Sequence, residues 1–159
     1  MPTLTLDDLI IPAERPFLLR GKTYPLRFVS AADMAVVESA LPMPEPPLVD
    51  DMTRGSNAPK VPNFKDPNYL RECDAVFKRW ELARGAIALR YKTREGVVWG
   101  DEEPESTGAL CARAMRRASF VVLASTELGA TLTDAEAVAL RKELAAFTAA
   151  SLTADAVKN

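Results

Sequence analysis

The sequence predicts an α+β fold that is mostly α-helical, with an N-terminal β-hairpin packed on a bundle of about three to four helices. Three observations predict it: a two-stranded pattern around Gly21-Lys22, apolar residues at helical spacing through the second half, and a long Pro-rich loop between them. A chain of 159 residues has the size of one domain. We therefore expect residues 1–41, 42–66 and 67–159 to form one structural domain.

The first unit, residues 1–41, is predicted to hold a β-hairpin followed by a short helix. Gly21-Lys22 has the composition of a two-residue loop with glycine first, which suits a type II′ turn. That register places Phe17 opposite Leu26, with both side chains on the same face. Because an isolated hairpin is only marginally stable in water, we expect this face to pack against the helices.

Each predicted helix begins at a residue whose side-chain oxygen can accept hydrogen bonds from the backbone N–H groups of the first turn. These N-caps are Ser30, Asp66, Ser106 and Thr133, the last in a capping box with Glu136. The helices are expected over residues 31–41, 67–92, 107–128 and 134–151.

Apolar residues at helical spacing predict which face of each long helix is buried. The expected core residues are Cys73, Phe77, Trp80, Ile87 and Tyr91 on the second helix, Leu110, Met115, Val121, Val122 and Ser125 on the third, and Val138, Leu140, Leu144 and Phe147 on the last. Gly85 within the second helix suggests a close helix crossing, and Gly129 is expected to end the third helix. Cys73 and Cys111 are expected to be buried, reduced thiols.

The composition argues against an enzyme. The chain has no histidine, so it cannot form a Ser-His-Asp or Cys-His pair or a His-bearing zinc site. Gly21-Lys22-Thr23 resembles the end of a phosphate-binding loop, but the upstream glycine is replaced by Pro16 and no helix follows. Asp101, Glu102 and Glu103 lack the ligand spacing of a calcium loop. We therefore expect no catalytic residues, no metal and no cofactor.

Charge and hydropathy also restrict the partners. The net charge of −2 supplies no positive field for nucleic acid or an anionic membrane, and Arg113, Arg116 and Arg117 are expected to form a solvated face. Asp7 and Asp8 stand where a signal peptide would carry basic residues, and no apolar run could span a bilayer. We expect a cytoplasmic protein that binds neither nucleic acid nor membrane. Homo-oligomerisation stays open.

The Pro-rich loop is the most unusual segment of the chain. Seven of the twelve prolines lie between Pro42 and Pro67, so no regular helix can cross this segment. Loops of this length are usually functional or disordered, and apolar residues within one favour a partner-binding surface over a passive tether. The candidate partner-binding residues are Met43, Pro46, Pro47, Leu48, Val49, Val61 and Phe64, together with Trp99, which either covers the helical core or serves as an exposed anchor.

Three features in this order resemble a tail assembly chaperone of long-tailed (siphovirus-type) bacteriophages. They are the hairpin from Phe17 to Arg27 leading into Ser30-Ala31-Ala32-Asp33, the Pro-rich loop, and Phe64-Lys65-Asp66-Pro67-Asn68-Tyr69-Leu70 at the start of a long helix. Together they cover most of residues 15–92. The C-terminal helices contribute nothing to the resemblance.

The resemblance implies a non-catalytic protein of the bacterial host cytoplasm that is made during virion assembly. Such chaperones bind and solubilise the tape-measure protein and help to recruit tail-tube subunits, so these two proteins are the expected partners. The family has no catalytic residues to transfer to this sequence. The alternative is a structural virion protein, either a head–tail connector or a tail-completion protein, that forms an oligomeric ring and holds its neighbour with the Pro-rich loop.

Overall fold

The α+β architecture expected from the sequence is present in the computed structural model, which describes residues 14–51, 53–55, 57–100 and 104–156, with side chains to residue 148. Residues 1–13 of the predicted first unit lie outside the described residues. In chain order the elements are β1 (Glu14–Leu19), β2 (Lys22–Arg27), α1 (Ala31–Ala40), β3 (Leu48–Val49), β4 (Val61–Pro62), α2 (Pro67–Ala88), α3 (Thr107–Thr131) and α4 (Asp134–Ala156). A hairpin thus packs on a helical bundle, as predicted.

The β1–β2 hairpin is present, but its predicted register is wrong by two residues. The loop is Arg20-Gly21, and both residues have positive φ angles, 51° and 76°. Such a pair matches a type I′ turn, whose twist suits the flanking strands, rather than the expected type II′ turn. Phe17 lies opposite Tyr24 instead of Leu26. Because side chains alternate with a period of two, this shift leaves Phe17 and Leu26 on the inner face, where both are buried.

The predicted N-caps are confirmed. Ser30 and Asp33 form a reciprocal capping box at the start of α1, Asp66 accepts hydrogen bonds from the first turn of α2, and Ser106 does the same for α3. Thr133 and Glu136 exchange the two hydrogen bonds of a capping box at α4, with distances of 2.9 and 3.3 Å. Local side-chain chemistry therefore sets where these helices begin.

The C-terminal ends of the helices differ from the prediction, and α4 continues to Ala156 instead of ending at residue 151. The α2 helix ends at Ala88, and the predicted stripe residue Tyr91 lies beyond it with its hydroxyl donating to Glu127. The α3 helix continues through Gly129 to Thr131. A Cβ atom on Gly129 would lie 3.0 Å from Leu82 Cδ1, so this glycine serves the packing of α3 against α2 instead of ending the helix.

The core lies where the hairpin and the helices meet. Its largest fully buried side chains include Phe120, Leu26, Ile87, Leu144 and Val37, drawn from β2 and from each of the helices α1 to α4. The close crossing expected at Gly85 is confirmed, because a Cβ atom there would lie 2.6 Å from Leu140 Cδ2 on α4. The absence of a side chain at Gly85 therefore lets Leu140 of α4 pack directly against the α2 backbone.

Polar contacts join the hairpin to its neighbours. Arg20 at the hairpin turn binds Glu136 through both carboxylate oxygens, at 2.7 and 2.9 Å. The Arg20 guanidinium and the Thr133 backbone N–H together lower the pKa of Glu136 to about 2. On α1, burial acts to raise the pKa of Asp33, but hydrogen bonds from Arg27 and Ser30 outweigh it and the pKa is lowered.

The buried faces of α2, α3 and α4 were only partly predicted. Val121 and Ser125 are buried as expected, whereas a group of predicted core residues is exposed. The exposed members are Phe77, Leu110, Met115, Val122 and Val138. The core positions of α3 are instead supplied by its C-terminal half, through Phe120, Ala124 and Leu128.

Cys73 is buried, but Cys111 is exposed, so the expectation of a buried thiol fails for Cys111.

Candidate functional site

The Pro-rich loop, residues 42–66, forms a hairpin-like excursion that we call the arm. Its strands β3 and β4 pair antiparallel, with Leu48 opposite Pro62 and Val49 opposite Val61. The backbone N–H of Asn63 donates to the Pro47 carbonyl at 2.8 Å and closes the base of this hairpin. The arm therefore folds back on itself instead of running as an extended polyproline segment. Met52 and Ser56 lie outside the described residues.

Both ends of the arm are anchored to the helical body. The buried residue Leu41 precedes the arm, and its carbonyl accepts a 2.8 Å hydrogen bond from Trp80 Nε1 on α2. At the other end, Asp66 Oδ1 accepts from the backbone N–H groups of Asn68 and Tyr69 at 2.9 and 3.0 Å. The arm thus leaves and rejoins the body at two fixed points.

The arm exposes most of its apolar residues. Leu48 is 62% exposed and Phe64 is 59% exposed, and Val49 and Pro47 are exposed as well. The remaining predicted arm residues, Met43, Pro46 and Val61, are half-buried. The Phe64 ring packs edge-on against Tyr69 at the start of α2, with the ring centroids 6.2 Å apart. Of the predicted arm residues, the structure thus leaves four at the surface and covers the other three in part.

Trp99 does not belong to this surface. It is only 8% exposed and packs on the Phe120 ring, with the centroids 5.7 Å apart. The Arg117 guanidinium also lies over the Trp99 ring, 4.6 Å from its centroid. Of the two roles left open by the sequence, the structure places Trp99 in the one that covers the helical core, which removes it from the candidate partner-binding residues.

A second apolar surface, which sequence reasoning missed, lies between α2 and α4. We call it the α2–α4 groove; its volume is about 750 Å³. Its apolar side chains are Phe77, Leu82, Leu132, Val138 and Leu140. The signal in the sequence was present but misleading, because Phe77 and Val138 have core-like spacing and nevertheless line an open groove.

Charged residues surround this apolar lining. They are Asp74, Lys78, Glu81, Asp134 and Arg141. Glu81 differs from the rest because its Oε2 atom is buried and has no hydrogen-bond partner. A buried carboxylate oxygen without a donor is unfavourable, because it has lost water and gained nothing in exchange.

The groove and the root of the arm are neighbours. Phe77 lines the groove and also packs edge-on against Trp80, with ring centroids 5.2 Å apart. Trp80 in turn holds the arm at Leu41. An apolar path therefore runs from the arm root across the exposed side of α2 into the groove.

A third feature is a cavity of about 860 Å³ beside the first turns of α3. It is lined by Arg113, Arg116, Arg117 and Trp99, among others. Arg117 Nε donates to the Gly100 carbonyl at 3.0 Å, so this arginine holds the backbone of the α2–α3 connection at Gly100. The arginines predicted to form a solvated face thus include one with a structural role.

In the part of the chain that the structure describes, no three Cys, Asp or Glu side chains gather as a metal site would require. Among the same residues, no helix has both the length and the hydropathy needed to cross a membrane. No protein family, curated protein or solved structure matches this chain. The candidate site therefore rests on geometry: an anchored arm with exposed apolar side chains and an adjoining apolar groove with a charged rim.

Proposed function

We propose that this protein is a non-catalytic binding protein that covers apolar surface on another protein, and that it acts as a phage tail assembly chaperone. The observation that carries the proposal is the arm, which exposes Leu48, Val49 and Phe64 although the body has a well-packed core of its own. Clustered exposed apolar residues of this kind usually mark interaction sites. The sequence resemblance narrows the partner to the tape-measure protein.

The expected partner has apolar faces that need to be covered. A tape-measure protein is a long helical chain, and its exposed apolar faces would aggregate unless another protein covers them. An anchored apolar arm beside an apolar groove is suited to that task, because amphipathic helices are recognised by grooves that accept their apolar side chains. By the same resemblance, the complex would also help to recruit tail-tube subunits.

The anchored root of the arm also supports the alternative role in the virion. A hairpin held at Leu41 and Asp66 could hold a neighbouring copy in a ring, as a head–tail connector or tail-completion protein would require. Mass spectrometry of purified particles separates the two roles. A chaperone is absent from finished particles, whereas a connector is present in them.

Co-expression with the tape-measure protein tests the leading proposal. We expect the soluble fraction of the tape-measure protein to rise when this chain is present, and the two proteins to elute together in size-exclusion chromatography. The control is co-expression with an unrelated helical protein of similar size. An unchanged soluble fraction together with separate elution would contradict the proposal.

A further inference from the structure

The α2–α4 groove combines an apolar lining with an unsatisfied negative group. Phe77 on α2 and Val138 on α4 are exposed on its two sides, and Leu82, Leu132 and Leu140 contribute apolar surface between them. Beside their close crossing at Gly85 and Leu140, the two helices therefore present a shared apolar trough. Such a trough matches the apolar face of a third helix, whose side chains recur at i, i+3, i+4 and i+7.

Glu81 indicates the charge that a segment bound in the groove should carry. Its Oε2 atom is buried without a hydrogen-bond donor, and the residue lines the groove. Of the charged residues around the groove, Asp74, Glu81 and Asp134 are acidic and Lys78 and Arg141 are basic. The local balance is negative, so a cationic occupant is favoured over an anionic one. A lysine or arginine beside the groove would offset this negative charge and pair with the Glu81 carboxylate.

We infer that the α2–α4 groove binds an amphipathic helix of a partner protein that carries a lysine or arginine beside its apolar stripe, and that Glu81 pairs with this cation. The inference rests on the proposed function, since it specifies the chemistry of the partner segment that the chaperone would cover. It assigns the helix to the groove and leaves the arm to bind a separate part of the partner.

The test uses two synthetic helical peptides of about 18 residues, long enough to hold helical structure. Both carry the same leucine stripe at helical spacing and contain no tryptophan; one has a lysine beside the stripe and the other a glutamate. Binding is followed by isothermal titration calorimetry and by Trp80 fluorescence, because Trp80 packs against the groove residue Phe77. The wild-type chain should bind the lysine peptide about tenfold more tightly than the glutamate peptide.

Substitutions at Glu81 should alter this preference. Glu81→Gln should weaken binding of the lysine peptide about tenfold and leave the glutamate peptide nearly unchanged. Glu81→Lys should reverse the preference, and this rescue by the glutamate peptide shows that the variant is folded. Equal affinity of the wild-type chain for both peptides, or no binding of either, would overturn the inference.

A matched pair of valines tests the location. Val138 lines the groove and is 40% exposed, whereas Val122 on α3 is 42% exposed and does not line it. Val138→Lys should weaken the binding of both peptides about tenfold, and Val122→Lys should leave the binding of both unchanged. Equal losses in the two variants would place the peptide elsewhere.

Failure of this inference is distinguishable from failure of the proposed function. If Glu81→Lys still solubilises the tape-measure protein in co-expression while the peptide tests fail, the groove assignment is wrong and the chaperone role stands. If the peptides bind as expected but the wild-type chain leaves the tape-measure protein insoluble, the groove assignment stands and the chaperone role is wrong.

Discussion

Trp80 on α2 holds the carbonyl of Leu41 with a 2.8 Å hydrogen bond, and Leu41 is the last residue before the proline-rich arm. A single indole thus connects the long helix to the start of the arm. The same ring packs against Phe77, which lines the α2–α4 groove. Trp80 is therefore the residue that contacts the core, the root of the arm and the groove residue Phe77.

Two substitutions of Trp80 should destabilise the protein by different amounts. Trp80→Phe removes the hydrogen bond to Leu41 and should cost about 1 kcal/mol in the free energy of unfolding. Trp80→Ala also removes the packing against the core and should cost about 3 kcal/mol. Urea denaturation followed by circular dichroism measures both, with Leu18→Ala on the exposed outer face of β1 as a control that should change little. An unchanged midpoint in Trp80→Ala would refute the core assignment.

Gly85→Ala should be destabilising although alanine is the better helix former. A Cβ atom at this position would lie 2.6 Å from Leu140 Cδ2, so α4 or the leucine must shift. We expect a loss of about 1–2 kcal/mol in the free energy of unfolding. Gly108→Ala near the start of α3 is the matched control, because its Cβ would meet nothing within 4 Å and alanine there should be neutral or stabilising. Thermal unfolding should show a lower melting temperature for Gly85→Ala and an unchanged or higher one for Gly108→Ala.

The Arg20–Glu136 contact should make stability depend on pH in the acid range. The pKa of Glu136 is lowered from 4.5 in the unfolded chain to about 2 in the folded protein. The carboxylate therefore contributes stability above pH 4.5, and this contribution is lost as the pH falls from 4.5 to about 2. Glu136→Gln should be less stable than the wild type at pH 7, and the difference should shrink across that window in urea titrations. A difference that stays constant down to pH 2 would contradict the assigned contact.

Shortening the arm should leave the fold intact. The hydrogen bond from Asn63 N–H to the Pro47 carbonyl closes its base, so residues 48–62 can be replaced by Asn-Gly to give a four-residue turn closed by the same bond. Because loop closure costs less entropy in a shorter loop, the variant should be as stable as the wild type or more stable by about 0.6 kcal/mol. Unfolding of the shortened chain at a clearly lower temperature would show that the arm tip supports the core.

The sequence predicted those features that depend on neighbouring residues. The caps at Ser30, Asp66, Ser106 and Thr133 could be identified because a capping side chain bonds to backbone groups within three residues of itself. The crossing at Gly85 could be anticipated because only a close approach explains a glycine inside a long helix.

Features that depend on distant partners could not be predicted. The hairpin loop is Arg20-Gly21 instead of the predicted Gly21-Lys22, and Arg20 adopts a left-handed conformation there. In this conformation its side chain reaches Glu136 on α4, far along the chain. Met115 has the spacing of a core residue but is 72% exposed, because the N-terminal half of α3 lies outside the core that its C-terminal half forms. The groove was missed for the same reason, since the pattern of one helix cannot show that apolar residues of two helices line an open groove beside their crossing.

The arm is proposed to cover apolar surface on a partner, and the soluble yield of co-expressed tape-measure protein measures this effect. Three versions of this chain are compared: the wild type, the variant with residues 48–62 replaced by Asn-Gly, and Leu18→Ser, which alters an exposed leucine outside the arm. We predict high yields with the wild type and Leu18→Ser and a yield near that of the tape-measure protein alone with the shortened arm. Equal yields with all three versions would contradict the claim.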